Sequence, residues 1–251
     1  MTTNVSTASP SLWVSRAVLV DGVFAPVLLL VAALGTQFGI WAFTVGLMLM
    51  AAATLVAAFG VLGALVALFL SRRPGAEAGR SPAMIGLALC AAVLAVVLFY
   101  ALPARSVPPI HDITTDVADP PQFSPALLAL RGPDSNPLAR TPEVDSQQQA
   151  AYADLAPITL GEPVAAAHAR ALAVAREMGW EVVTDAQAEG LIEATATTRW
   201  MGFKDDIAIR IRSGSDGGSV VDLRSVSRVG VSDVGANAAR IRAFAARFAT
   251  E

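Results

Sequence analysis

Cysteine, lysine and histidine are nearly missing from this 251-residue sequence, which has one cysteine, Cys90, one lysine, Lys204, and two histidines, His111 and His168. A single cysteine excludes an intrachain disulfide framework and any zinc site built on paired cysteines. Cys90 also sits in an apolar run, where a thiol packs as a small hydrophobe. With one lysine among 18 basic residues and a net charge of −3, the chain has no basic footprint of the kind that grips nucleic acid. Phosphate loops, nucleophile motifs and metal-ligand spacings of known type are absent too, so no cofactor is expected.

The longest absence is of charge. Residues 22–71 contain no Asp, Glu, Lys or Arg. A mean hydropathy of +0.55 with only 16% charged residues is too apolar for an ordinary soluble domain. The apolar stretches fall at residues 17–34, 41–70 and 83–102, giving three transmembrane helices within a membrane region at 1–103. The second, at ~1.5 Å per residue, is longer than a ~30 Å hydrocarbon core and has to tilt or protrude. Trp41 suits an interfacial anchor. The polar stretch at residues 1–15 reads as a tail. Asp21 lies within reach of Arg16 or the headgroups, and the first span reads as an anchor rather than a cleaved leader. Gly60 and Ala64 form a small-residue pair too common in such spans to interpret.

Arginine distribution orients the spans. Arg16 precedes the first, and Arg72, Arg73 and Arg80 lie between the second and third. The positive-inside rule places both segments in the cytoplasm and everything after residue 103 across the membrane.

Ten of the fifteen prolines fall between residues 103 and 157, so residues 104–157 read as a Pro-rich arm of extended backbone. Within it His111, Asp112, Asp116 and Asp119 lie close together. A loop site for a divalent metal on His111, Asp112 and Asp116, or a His–Asp acid/base pair, is one reading. Turn-capping by Asp and Thr is the other.

Residues 158–251 read as an α+β extracytoplasmic domain: a helix opening at Pro163, four strands near 180–184, 191–200, 206–212 and 220–229, and a last helix near 234–249 capped by Ser232 or Asp233. The fold class is therefore an N-terminal α-helical region of three spans followed by a helix, a four-stranded antiparallel sheet and a helix.

Alternation along the strands sorts the side chains. Ile207, Ile209 and Ile211 point one way, and Asp206, Arg210 and Arg212 the other. Val221, Leu223, Ser225 and Ser227 oppose Asp222, Arg224 and Arg228. One face is thus helix-covered and the other carries Arg199, Arg210, Arg212, Arg224 and Arg228. Planar guanidinium forks suit carboxylate or phosphate, and the free N–H groups after Ser232 and Asp233 favour anions as well. A competing reading is structural: a 206–212/220–228 hairpin sets Asp222 opposite Arg210 or Arg212, and the ion pairs then occupy the same forks. Ser225, Ser227 and Asn237 are expected to turn inward and hold strand to helix.

Three stretches, PPIHDITTD, GLIEATATTRWMGFKDDIAIRIR and VDLRSVSRVGVSDVGANAARIRAF, resemble the bacterial domain of unknown function 1499 family, over roughly residues 107–248. Members with three preceding spans are similar to this chain throughout. The resemblance implies a bacterial inner-membrane protein with a periplasmic domain, and no activity. Three functions stay open. The first is a non-enzymatic module binding another envelope protein or an anionic small molecule, with the lipid bilayer as its other partner. The second is a membrane-anchored hydrolase using His111 with Asp112, Asp116, Asp205 or Asp206. The third is a structural membrane subunit.

Overall fold

Along the three long helices most large apolar side chains point outward and most buried ones are small, the reverse of a water-soluble bundle. A computed structural model describes residues 10–249, so the part of the polar tail before residue 10 lies outside the described residues. The chain divides into two units, Met1–Leu102 and Pro103–Glu251.

The first unit holds helices α1 (Pro10–Gln37), α2 (Phe43–Leu70) and α3 (Arg80–Ala104). Each is long and apolar enough to cross a membrane. On α2 every buried residue is glycine or alanine, whereas Leu55, Phe59, Leu62 and Phe69 are exposed. That distribution suits lipid, where apolar burial gives no drive to associate and close backbone approach does. A methyl group on Gly22 would lie 2.8 Å from the Cα of Gly86, and one on Gly60 would lie 2.4 Å from the Cys90 sulfur. Gly60 and Ala64, uninterpreted in the sequence, belong to this seam, and both are buried. The turn between α1 and α2 is closed by Trp41, whose ring lies against Gly35 where any side chain would collide.

In the second unit the sheet has six strands, not the expected four: β1 (Asp112–Thr114), β2 (Ile158–Leu160), β3 (Glu181–Ala186), β4 (Leu191–Thr197), β5 (Lys204–Ser213) and β6 (Ser219–Ser227). Strands β3 to β6 form the expected antiparallel meander. The additional pair share the outer edge of β6, β1 against residues 224–226 and β2 against residues 219–221. At three residues each, and flanked by prolines and turns, they are too short to show a period. The rest of the arm region forms α4 (Pro125–Leu128) and α5 (Pro142–Ala151), opened by Ser124 and Thr141 as N-caps with proline in the first turn.

One sheet face packs on α6 (Val164–Glu177) and α7 (Ala236–Phe248). Ile192, Ile207, Ile209, Val221 and Leu223 meet Ala171, Val174, Ile241 and Phe244 there, and Trp180 stacks on Phe244 at 5.8 Å. The other face carries a small apolar cluster of Phe123, Leu127, Ala208 and Val226, with Leu138 and Val183 packed against it. Gly190 turns β3 into β4 at φ +63°, with its carbonyl accepting from the Ile211 N–H at 2.6 Å; no side chain fits there.

Candidate functional site

The strand alternation that points arginines away from the helices also points three aspartates with them. Asp112, Asp206 and Asp222 are 4%, 0% and 0% exposed. A carboxylate taken out of water is strongly unfavourable unless paired and hydrogen-bonded. Each here is held by two guanidinium groups.

Asp112, on β1, receives Arg224 through both oxygens, at 3.1 Å from Nε and 2.7 Å from Nη2, and Arg140 at 3.0 Å. Asp206, on β5, receives Arg228 at 2.7 Å and Arg131 at 2.5 Å, with the Thr195 hydroxyl donating at 3.0 Å. Asp222, on β6, lies opposite Arg210 in register and takes Arg210 at 3.0 Å and Arg212 at 2.8 Å. Of these arginines, Arg131 and Arg140 come from the arm.

The sheet arginines use their remaining N–H groups on arm backbone. Arg224 donates to the carbonyls of Pro121 at 3.1 Å and Leu138 at 2.6 Å, with its guanidinium over the Phe123 ring. Arg228 donates to Leu130 at 2.7 Å and Arg210 to Asp119 at 2.8 Å. Asp116 and Asp119 add carboxylates to Arg210 and Arg212. Glu193, fully buried on β4, accepts from the Ser124 N–H at 2.6 Å and its hydroxyl at 2.5 Å. The arginine face is therefore lidded: Arg224 is 1% exposed and lies beneath residues 121–138. Of the two readings of this face, ligand site or ion-paired surface, the geometry matches the ion-paired one, with a segment of the same chain held across it.

The other site candidates separate. Arg199 is exposed in the β4–β5 hairpin, away from that network. The Ser232 hydroxyl accepts from the Val234 N–H at 3.1 Å. Asp233 accepts from Gly235 and Asn237, both at 2.8 Å, and so fixes the start of α7. His111 Nδ1 lies 3.3 Å from the Val231 carbonyl oxygen. Its neighbour Asp112 is occupied by Arg224 and Arg140, and Asp116 by Arg210 and Arg212. Asp205 and Asp206 face opposite sides of the sheet, Asp205 toward α7, where Arg240 holds it at 2.5 Å. Among the described residues no three His, Cys, Asp or Glu side chains converge in a way that could hold a metal ion. A cleft of about 130 Å³ lies between His111, Arg140 and Val144. The inward set is joined as the sequence implies: Ser225 donates to Asn237 Oδ1 at 2.7 Å, and Asn237 Nδ2 donates to Ser227 at 3.0 Å and to the His111 carbonyl at 3.0 Å.

What sequence reasoning missed is the arm's half of the network. Arg131, Arg140, Ser124 and Gln148 bear on the site, and Gln148 is 1% exposed, spanning both backbone groups of Thr114. Thr–Pro and Ser–Pro steps before α5 and α4 were the available signal, since they mark helix starts within a stretch read as extended.

Three membrane-length helices and a six-stranded α+β domain locked to its own arm define the class of protein. Residues 112–248, more than half of the chain, match the family described as Protein of unknown function (DUF1499), and the chain belongs to that family. No curated protein and no solved structure matches it at a significant level.

Two outcomes follow from these geometries. Arg224→Met leaves Asp112 with half its partners and frees the arm, so full-length protein in detergent loses about 3–5 kcal/mol of stability. Trypsin then cuts after Arg131 faster than in the parent; an unchanged cleavage rate contradicts the clamp. Asp233 supplies a pH test. Burial pushes its carboxyl above the usual carboxylate range, outweighing the Gly235 and Asn237 N–H groups that pull it down. A raised folded pKa adds stability only while the group is protonated in both states, and that contribution is lost as pH rises through the folded value. Asp233→Asn removes the charge and keeps one of the two accepting oxygens, a loss that does not vary with pH. Its melting temperature relative to the parent therefore rises from pH ~3 to pH ~7, whereas Asp233→Ala is destabilised by ~1 kcal/mol through loss of the cap.

Proposed function

We propose that this chain is a bacterial inner-membrane protein, amino terminus in the cytoplasm, whose carboxy-terminal domain lies in the periplasm and works as a non-enzymatic binding module for another envelope protein or an anionic ligand. The fate of the charged groups carries this reading. Arg210, Arg212, Arg224 and Arg228 join buried aspartates to the arm, so the polar surface richest in chemistry serves the domain's own closure. Hydrolysis by His111 would need a carboxylate to orient its ring, and the ring instead meets the backbone of Val231.

Binding then falls to groups left outside that network. Of the residues that suit an anion by sequence, Arg199 keeps that role, and Lys204 stands exposed at the other side of the same hairpin. The orientation rests on Arg16 before α1 and on Arg72, Arg73 and Arg80 between α2 and α3.

Both halves of the proposal can be measured on the full chain. In intact cells a membrane-impermeant maleimide should label Ser213→Cys and spare Glu77→Cys, two exposed positions, each made in a Cys90→Ala background; the opposite pattern reverses the topology. In detergent, inorganic phosphate or citrate should raise the melting temperature, and Arg199→Ala with Lys204→Ala should abolish the rise. A shift that survives the double substitution removes these two residues from the site, and no shift with either anion sinks the anionic-ligand reading.

A further inference from the structure

The hairpin that carries Arg199 and Lys204 lies at one particular end of the sheet. Thr197 pairs with Lys204 and Asp205 with Ser227, so the β4–β5 hairpin and the end of β6 lie side by side. The Arg228 N–H donates to the Lys204 carbonyl at 2.9 Å, which carries the turn at 228–235 past the same edge. The segment leading into β1 lies there too. His111 accepts from the Ser227 N–H at 2.9 Å, and Ile110 from the Asp233 N–H at 3.0 Å.

Large apolar side chains are exposed at five described positions of the domain: Leu128, Leu130, Trp200, Val231 and Val234. All but Leu128 stand at this end. Trp200 is 60% exposed and Val231 79%, and the Leu130 carbonyl accepts from Arg228. Val234 is held at φ +56°, a conformation that β-branched residues rarely adopt, and the Asp233 bonds to Gly235 and Asn237 brace it. The turn thus presents valines outward on a rigid support.

Charge completes the pattern. Arg105, Arg199 and Lys204 are exposed, and among the described residues no carboxylate pairs with them. The acids at this end are otherwise engaged, Asp205 with Arg240 and Asp233 with the start of α7. Asp134 and, at the start of β3 opposite Thr195, Glu181 are the exposed acids nearest to it.

A covalent constraint selects the partner. Seven residues, 105–111, separate the last residue of α3 from the first of β1. At ~3.3–3.6 Å per residue they span at most about 25 Å. The end of the sheet that carries the exposed apolar and cationic groups is the end tethered to the membrane. Tryptophan favours the lipid–water interface, and unpaired arginine and lysine favour anionic headgroups.

We propose that this end of the sheet docks on the bilayer that anchors the chain, with Trp200, Val231 and Leu130 entering the interface and Arg105, Arg199 and Lys204 meeting lipid phosphates. The proposal rests on the binding-module reading and names its anion as the headgroup surface. The test uses full-length protein, Cys90→Ala, with an environment-sensitive fluorophore on Val231→Cys, reconstituted into vesicles of phosphatidylcholine with phosphatidylglycerol. Iodide should quench this label severalfold less than the same label on Ser213→Cys, at the opposite end of β5. Protection should shrink in pure phosphatidylcholine and be lost with Arg199→Glu and Lys204→Glu, two exposed positions whose melting temperature reports retained folding. Quenching at 231 equal to that at 213 overturns the docking. Protection that persists in detergent micelles and disappears on dilution identifies a second copy as the occupant and overturns it equally. If the phosphate-dependent melting shift remains while residue 231 stays open to iodide, docking fails and the binding reading survives; if neither is seen, both fall.

Discussion

Three carboxylates buried in one face of a sheet decide how the rest of this domain is built. Asp112, Asp206 and Asp222 cannot remain charged out of water without partners, and one guanidinium apiece would leave lone pairs unsatisfied. Two arginines per aspartate solve that. The forks then have N–H groups to spare, and the nearest acceptors are carbonyls of a proline-rich segment with few hydrogen bonds of its own. Electrostatic necessity on the sheet and unmet backbone need in the arm are met by the same side chains. Lysine, a point charge without a planar fork, could not bridge in this way, which fits a chain with a single lysine.

The membrane unit obeys a different rule with the same consequence. Helices apolar enough to cross a membrane would gain nothing in lipid by hiding leucine, and these make contact where backbones come closest, at Gly22 against Gly86 and Gly60 against Cys90. In each unit the residues that look least informative by composition, glycines in one and prolines in the other, set what can pack on what.

How much of this was legible follows from which signals are local. A charge-free run of fifty residues marks the first two apolar helices and a shorter uncharged run after Arg80 marks the third, though α1 extends further at both ends than its apolar core suggests. Period-two alternation assigned the faces of β5 and β6 correctly, and with them the inward Ser225–Asn237 bond and the Arg210–Asp222 pair. Alternation says which way a side chain points and nothing about what lies above it. Arg224 was placed on the outer face, where it is, but covered by residues eighty to a hundred positions earlier. Strands β1 and β2 escaped because three residues carry no periodicity, and their existence depends on an edge of β6 that local sequence cannot announce.

That edge has a consequence for the order in which the molecule can be made. Asp112 pairs with Val226, so the first and last strands of the sheet meet across more than a hundred residues. When the arm leaves the ribosome, β6, Arg224 and Arg228 do not yet exist. Its aspartates and open carbonyls must wait, solvated, until β6 has been synthesised. Closure of so distant a contact is slow, and the sheet cannot be completed from any shorter nascent chain. Folding here is gated by β6, and a nascent chain that stops before Ser219 leaves the domain unclosed.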